Sequence, residues 1–148
     1  MNIAEITRDH TPQKLIENKI SFTGENSEFS IYDTYESACK VQLNSGELLF
    51  CAMLIGRKIM HTPNIDKGQV FLPHESFIMA PEEVVEMDFP EASIDNPTTC
   101  LTVEISKEKV NQISERLNET IPVLEDANKW STGCSILHSR HSAEIQQL

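Results

Sequence analysis

The chain has 148 residues, 39% of them hydrophobic, and 23 acidic against 12 basic side chains give it a net charge of −11. This length and apolar content suit one domain with one core. The charge, with no Lys/Arg cluster, excludes a surface that grips a row of phosphates or an anionic membrane by itself. The longest apolar run, Leu48 to Ile55, is far too short to span a bilayer. Met1 to His10 is polar and charged and lacks the apolar stretch of a secretory signal, so the chain is expected in the cytoplasm with no membrane partner.

In chain order, Thr11-Pro12 reads as a helix start, because threonine can cap free amides and proline is preorganised for the first helical position. A short helix is predicted over Pro12 to Asn18. After the turn-rich Thr23 to Ser27, strands are predicted at Glu28 to Tyr35, Cys39 to Leu43, Glu47 to Ile55 and Arg57 to His61, broken by Asn44-Ser45-Gly46 and by Gly56. Further short strands follow at Gln69 to Leu72, Ser76 to Met79, Val84 to Phe89 and Cys100 to Ile105. Asp66-Lys67-Gly68, Pro73, Pro81 and Asn96-Pro97 separate them. Such even spacing is the pattern of a β sandwich or barrel.

The period then becomes helical: Val110, Ile113, Leu117 and Ile121 recur at three- and four-residue steps from a Ser106 cap and stop at Pro122. This amphipathic helix is expected to cover the barrel, or alternatively to supply a pairing face. Val123 to Gly133 reads as a loop around Trp130, and Ala143 to Leu148 as a helix running to the chain's end, which suggests a longer parent protein. The chain thus divides into a helix and lead-in over 1–27, a β-barrel over 28–105, and a helix, loop and truncated helix over 106–148, all in a single domain.

Four cysteines, Cys39, Cys51, Cys100 and Cys134, include no C-x-x-C pair and are expected to be reduced, mostly buried small hydrophobes. Cys134, His138 and His141 form C-x3-H-x2-H, which would align three ligands on one helical face, but no fourth ligand lies near and a polar tail is expected instead. His61 and His74 fall on successive hairpins, where they could be solvated turn residues or ligand contacts; the His-x-His pair of metal-dependent barrels is missing. No Gly-x-Ser-x-Gly elbow and no phosphate-cradling glycine loop occurs, so no catalytic residue, metal site or cofactor is expected. Leu48 to Ile55 is apolar on both faces, so one face could line a barrel interior that is either open or filled. For an open interior the candidate ligand contacts are Cys51, Met53 and Met87 as soft apolar walls, with Phe77, Met79 and Phe89 beside them, and Lys58, His61 and His74 as polar handles.

The run from Cys51 to His61, a Cys-led apolar strand entering Gly56-Arg57-Lys58, resembles the N-terminal domain of AraC-type bacterial transcription regulators. The likeness continues through Asp66 to Pro73, through Phe89 to Pro97 with its Glu91-Ala92-Ser93, and through the strand Cys100 to Ile105 with its following helix. It covers roughly Glu28 to Thr120. The resemblance implies a mainly β, cupin-like double-stranded β-helix, or jelly-roll barrel, that senses an unidentified small-molecule effector and helps a regulator pair into a homodimer. DNA contact is implied only through a C-terminal helix-turn-helix part absent from this chain. Two other readings stay open: a metal-dependent stand-alone cupin enzyme using His61 or His74, and a scaffold or dimerisation domain with a filled barrel.

Overall fold

The structure, a computed structural model, describes residues 12–63, 67–120 and 136–141. Among the described residues are ten strands: β1 (Asn18–Thr23), β2 (Ser27–Thr34), β3 (Ala38–Asn44), β4 (Leu48–Ile55), β5 (Lys58–His61), β6 (Gln69–Phe71), β7 (Glu75–Met79), β8 (Val84–Phe89), β9 (Thr98–Ile105) and β10 (Ile136–Arg140). One helix, α1 (Lys107–Thr120), follows β9. A six-stranded sheet β1-β2-β9-β4-β7-β10 faces a four-stranded sheet β3-β8-β5-β6. The chain changes sheet at most connections between β2 and β9, and all pairings are antiparallel. The strand spacing predicted a β sandwich or barrel, and the structure is the jelly-roll form that the resemblance implied.

The core lies between the sheets. Leu49, Cys51 and Met53 of β4, Phe77 and Met79 of β7 and Cys100 of β9 meet Met60, Phe71, Val85, Met87 and Phe89 from the smaller sheet. Alternation along each strand sets which residues enter it, as in β8, where Val85, Met87 and Phe89 are buried and Val84 is exposed. The tight connection from β4 to β5 depends on Gly56, whose φ is +82° and where a Cβ would lie 2.8 Å from Thr98 Oγ1.

Pro12 to Asn18 is not helical. The Asn18 side chain takes the amides that a first helical turn would leave free, accepting from Gln13 N at 2.9 Å and Lys14 N at 3.3 Å. Glu17 has a φ of 52°, which ends any right-handed turn. The chain then runs along β2 as β1, Asn18 opposite Asp33 through Thr23 opposite Glu28.

The helix α1 begins as expected: Ser106 Oγ accepts from Lys109 N at 3.2 Å, and Glu47 Oε2 accepts from Lys107 N at 2.6 Å. It does not cover the barrel, since none of its residues is buried and Ile113 is exposed; Lys107, Val110 and Asn111 share a surface hollow with Leu48 and Pro81. The helical C-x3-H-x2-H face weighed against the expected polar tail does not form in the described part of that segment. His138 sits in strand β10 and His141 just beyond it, so no helical step aligns them, while Cys134 lies outside the described residues. This segment pairs in register with β7, Ile136 opposite Met79 and Arg140 opposite Glu75, because that edge offers unpaired backbone groups. The predicted loop around Trp130 and the helix from Ala143 also fall outside the described residues.

Candidate functional site

A lysine lies inside the barrel. In β5, Lys58 and Met60 are buried while Ile59 and His61 face outward. The outer pair lies over Gly68, where a Cβ would come within 2.4 Å of Ile59 Cγ2 and 2.7 Å of His61 Cε1. The alternation of the strand then carries the Lys58 stem inward beside Met60. Lys58 is 2% exposed. Its ammonium donates to Cys51 Sγ at 3.2 Å and stands 5.2 Å from the Phe77 ring centroid, a cation–π contact.

Lys58 and Cys51 line a cavity with Cys100, Thr102, Tyr32 and Glu17 on its polar side and Val41, Leu43 and Met87 on its apolar side. The free space measures about 10 Å³ for the centre of a water-sized sphere, room for one water molecule. Glu17 arrives there because the bent segment before β1 is pinned to β2: Glu17 N donates to Thr34 Oγ1 at 3.1 Å, and Tyr35 N donates to Leu15 O at 2.6 Å.

The electrostatics follow from placing one cation in an apolar barrel. Burial opposes the Lys58 charge, but Cys100, Cys51 and Glu17 together outweigh it and hold the ammonium above the ordinary lysine range. The Cys51 thiol is pulled down to about 7, first by a hydrogen bond with the Cys100 thiol and then, against burial, by Lys58. Cys100 moves the opposite way, raised by that same bond and by burial. Burial also raises the Glu17 carboxyl, with Lys58 opposing.

A folded-state pKa above the unfolded one gives stability that is full below the unfolded value and is lost as pH rises through the folded one. Glu17 should therefore cost stability as pH climbs from the ordinary carboxylate value of 4.5. Urea unfolding of Glu17→Gln should show a midpoint that gains on the parent as pH rises above 4.5. A gap that shrinks over that range would refute the assignment.

Of the candidates read from sequence, the structure brings Cys51, Lys58 and Met87 together at the cavity and places Met53 in the adjoining core. It does not bring His61 or His74 there. His61 faces outward, its Nε2 2.7 Å from Asp88 Oδ2, beside a separate surface hollow with Gln42, Thr62 and Glu86. His74 is exposed at a turn with a φ of 69°, and its carbonyl accepts from His141 N. Among the described residues no group of three or more His, Cys, Asp or Glu is placed to hold a metal ion. Sequence reading missed Glu17, Tyr32 and Cys100. The inward alternation of β9 marks Cys100, but no local signal marks Glu17.

Among the described residues no helix is long and apolar enough to cross a membrane. Comparison with known proteins adds the family. Structural similarity extends to a cupin superfamily protein from Desulfitobacterium hafniense (7% identity, TM-score 0.53, covering 72% of this chain and 90% of that one). It extends also to the Schizosaccharomyces pombe Cnp3 cupin domain (9% identity, TM-score 0.56, covering 81% and 80%). A third similar structure is unsaturated fatty acid-bound ToxT from Vibrio cholerae (10% identity, TM-score 0.59), covering 86% of this chain, which spans 46% of ToxT. Comparison with curated proteins finds no match. At these identities the structures establish the cupin fold alone. The sequence profile of the AraC-type transcriptional regulator N-terminus matches residues 27–147, and the chain belongs to that family.

Proposed function

We propose that this domain is the small-molecule-sensing part of a transcription regulator, not an enzyme, and that its effector carries an acidic head received by Lys58 inside the barrel. The observation that carries this reading is the buried ammonium, whose hydrogen bond goes to a thiol, at the end of a cavity walled by Val41, Leu43 and Met87. Taking an ammonium out of water costs several kcal/mol unless charge and hydrogen bonds offset it. A ligand carboxylate would match that charge better than Cys51 and Glu17 do, and the apolar wall suits an alkyl chain. The unsaturated fatty acid in the ToxT structure has this combination of acid and chain. Room for such a ligand would come from Met87 and Met53, flexible side chains that repack at low cost. With its net charge of −11 the domain would not touch DNA; it would bias a DNA-reading domain by binding its effector better in one state.

A second reading, a filled barrel serving only dimerisation or scaffolding, is favoured by the water-sized free space. Thermal unfolding with a panel of carboxylic acids and matching alcohols separates them. Sensing predicts that at least one acid, at about a hundredfold its Kd, raises Tm by roughly 5–10 °C while its alcohol does not. If no acid raises Tm, the filled-barrel reading stands.

A further inference from the structure

The thiols beside Lys58 have a chemistry of their own, whatever the effector is. Cys51 and Cys100 are 1% and 3% exposed. They come from adjacent strands whose register sets Cys51 opposite Thr102 and Met53 opposite Cys100, so both side chains fall diagonally on the inner face. Lys58 Nζ reaches Cys51 Sγ at 3.2 Å, and the neighbouring Cys100 thiol is the largest influence pulling the Cys51 thiol down. All three groups line a cavity with room for a water molecule, and the flexible Met87 side chain in its wall has to yield for the second oxygen of hydrogen peroxide.

We propose that Cys51 and Cys100 are a peroxide-reactive dithiol pair within the barrel, with the Lys58 ammonium as counterion to the attacking thiolate. Cys51 sulfur attacks one peroxide oxygen; the S–O bond forms, the O–O bond breaks, and the departing hydroxide takes a proton from Lys58 to leave as water. Cys100 returns a proton to the Lys58 amine, and its sulfur attacks the Cys51 sulfenic acid. The S–S bond forms, the S–O bond breaks, and the second hydroxide leaves as water with a proton from solvent. In sum, thiolate, thiol, hydrogen peroxide and one proton give a disulfide and two waters, and two electrons pass from sulfur to peroxide. The product ties β4 to β9 in the larger sheet, and because diagonal partners stand roughly 7–8 Å apart the two strands draw together locally to form it.

Only the thiolate attacks, and the Cys51 value of about 7 makes it abundant at neutral pH, where an ordinary thiol near 9 is almost wholly protonated. The folded chain should be pulsed with equimolar hydrogen peroxide, alkylated and mapped by peptide mass spectrometry. A Cys51–Cys100 disulfide is expected ahead of any oxidation at Cys39, the exposed cysteine of β3. Cys100→Ser should leave a Cys51 sulfenic acid that dimedone traps, and Cys51→Ser should leave Cys100 reduced. Lys58→Met should slow the reaction at pH 7 by roughly fivefold or more, the gain in thiolate intrinsic reactivity only partly offsetting the lost thiolate fraction. In the native chain, which needs no variant to fold, the rate should rise with pH around a midpoint near 7. Oxidation of Cys39 before Cys51, a sulfenic acid that never passes to Cys100, or a midpoint near 9 would each overturn the proposal.

Discussion

Phe77→Ala is expected to destabilise the domain by about 3–5 kcal/mol, against about 1–1.5 kcal/mol for Phe77→Leu. The ring is 1% exposed, packs against Phe71 at a centroid separation of 5.0 Å, and carries the Lys58 ammonium 5.2 Å from its centre. Its backbone lies in the middle of β7, opposite Cys51 on one side and His138 on the other. Neighbours held on both sides by ladder hydrogen bonds cannot collapse into the space left by alanine, which places the cost at the upper end for a buried phenylalanine. A small domain has only about 5–15 kcal/mol in total, so this variant should lose much of its resistance to urea. An Ala variant whose urea midpoint falls no further than that of the Leu variant would show that the ring is not central to the core.

Phe77 also stands between the cavity and the last described strand. Phe71 contacts Phe77 and meets the His138 ring edge-on at 4.7 Å, and Gln69 Nε2 lies 2.7 Å from His138 Nδ1. Glu75, buried at the start of β7, holds the same strand through Arg140 Nε at 3.2 Å and the His138 ring at 3.6 Å. Lys58, Phe77, Phe71 and His138 thus form a contiguous row of contacts from the cavity to β10.

These contacts explain what the sequence made legible. Eight strands could be placed because each is an apolar run ended by a residue with strong turn chemistry, such as Gly56 or Pro81. β10 gave no such sign: His138, Ser139 and Arg140 are polar, and the strand forms only because the β7 edge, Phe71 and Glu75 are waiting for it. Before β1, Thr11-Pro12 carried a local preference for helix, but the Asn18 side chain takes the amides of Gln13 and Lys14 and Glu17 turns left-handed. The site was half legible. Lys58 and His61 were both read as polar handles, but residues three apart on a strand point to opposite faces, so only one could enter the barrel. Residue type alone would seat Ile59 inside and Lys58 outside. The outer surface has room for Ile59 because Gly68 beneath it carries no side chain. Glu17 was illegible because it reaches the cavity through a left-handed backbone turn and a hydrogen bond to Thr34, seventeen residues away.

Lys58→Met should reduce affinity for an acidic effector by about a hundredfold or more, the equivalent of roughly 3 kcal/mol. The loss is large because the ammonium is 2% exposed, and water cannot replace it as a partner for a carboxylate in the barrel. The apo domain should be spared, since an apolar side chain of similar length in place of a buried ion is often neutral or stabilising. Cys51, freed from the cation, can return to a neutral thiol, which packs as a small hydrophobe. Lys58→Ala would not separate these effects, because it adds a cavity cost of about 2–5 kcal/mol comparable to that of other large-to-small changes. Titration calorimetry of parent and Lys58→Met with one acid and its matching alcohol gives the test. The acid should lose its affinity and the alcohol should keep whatever it has. In the parent, binding should weaken as pH falls through the ligand's own carboxyl range, where Lys58 stays charged, and weaken again as pH rises past about 7, where the Cys51 thiolate competes for the ammonium. Equal acid affinity in the two proteins would remove Lys58 from the site and leave the apolar wall as the only support for a ligand.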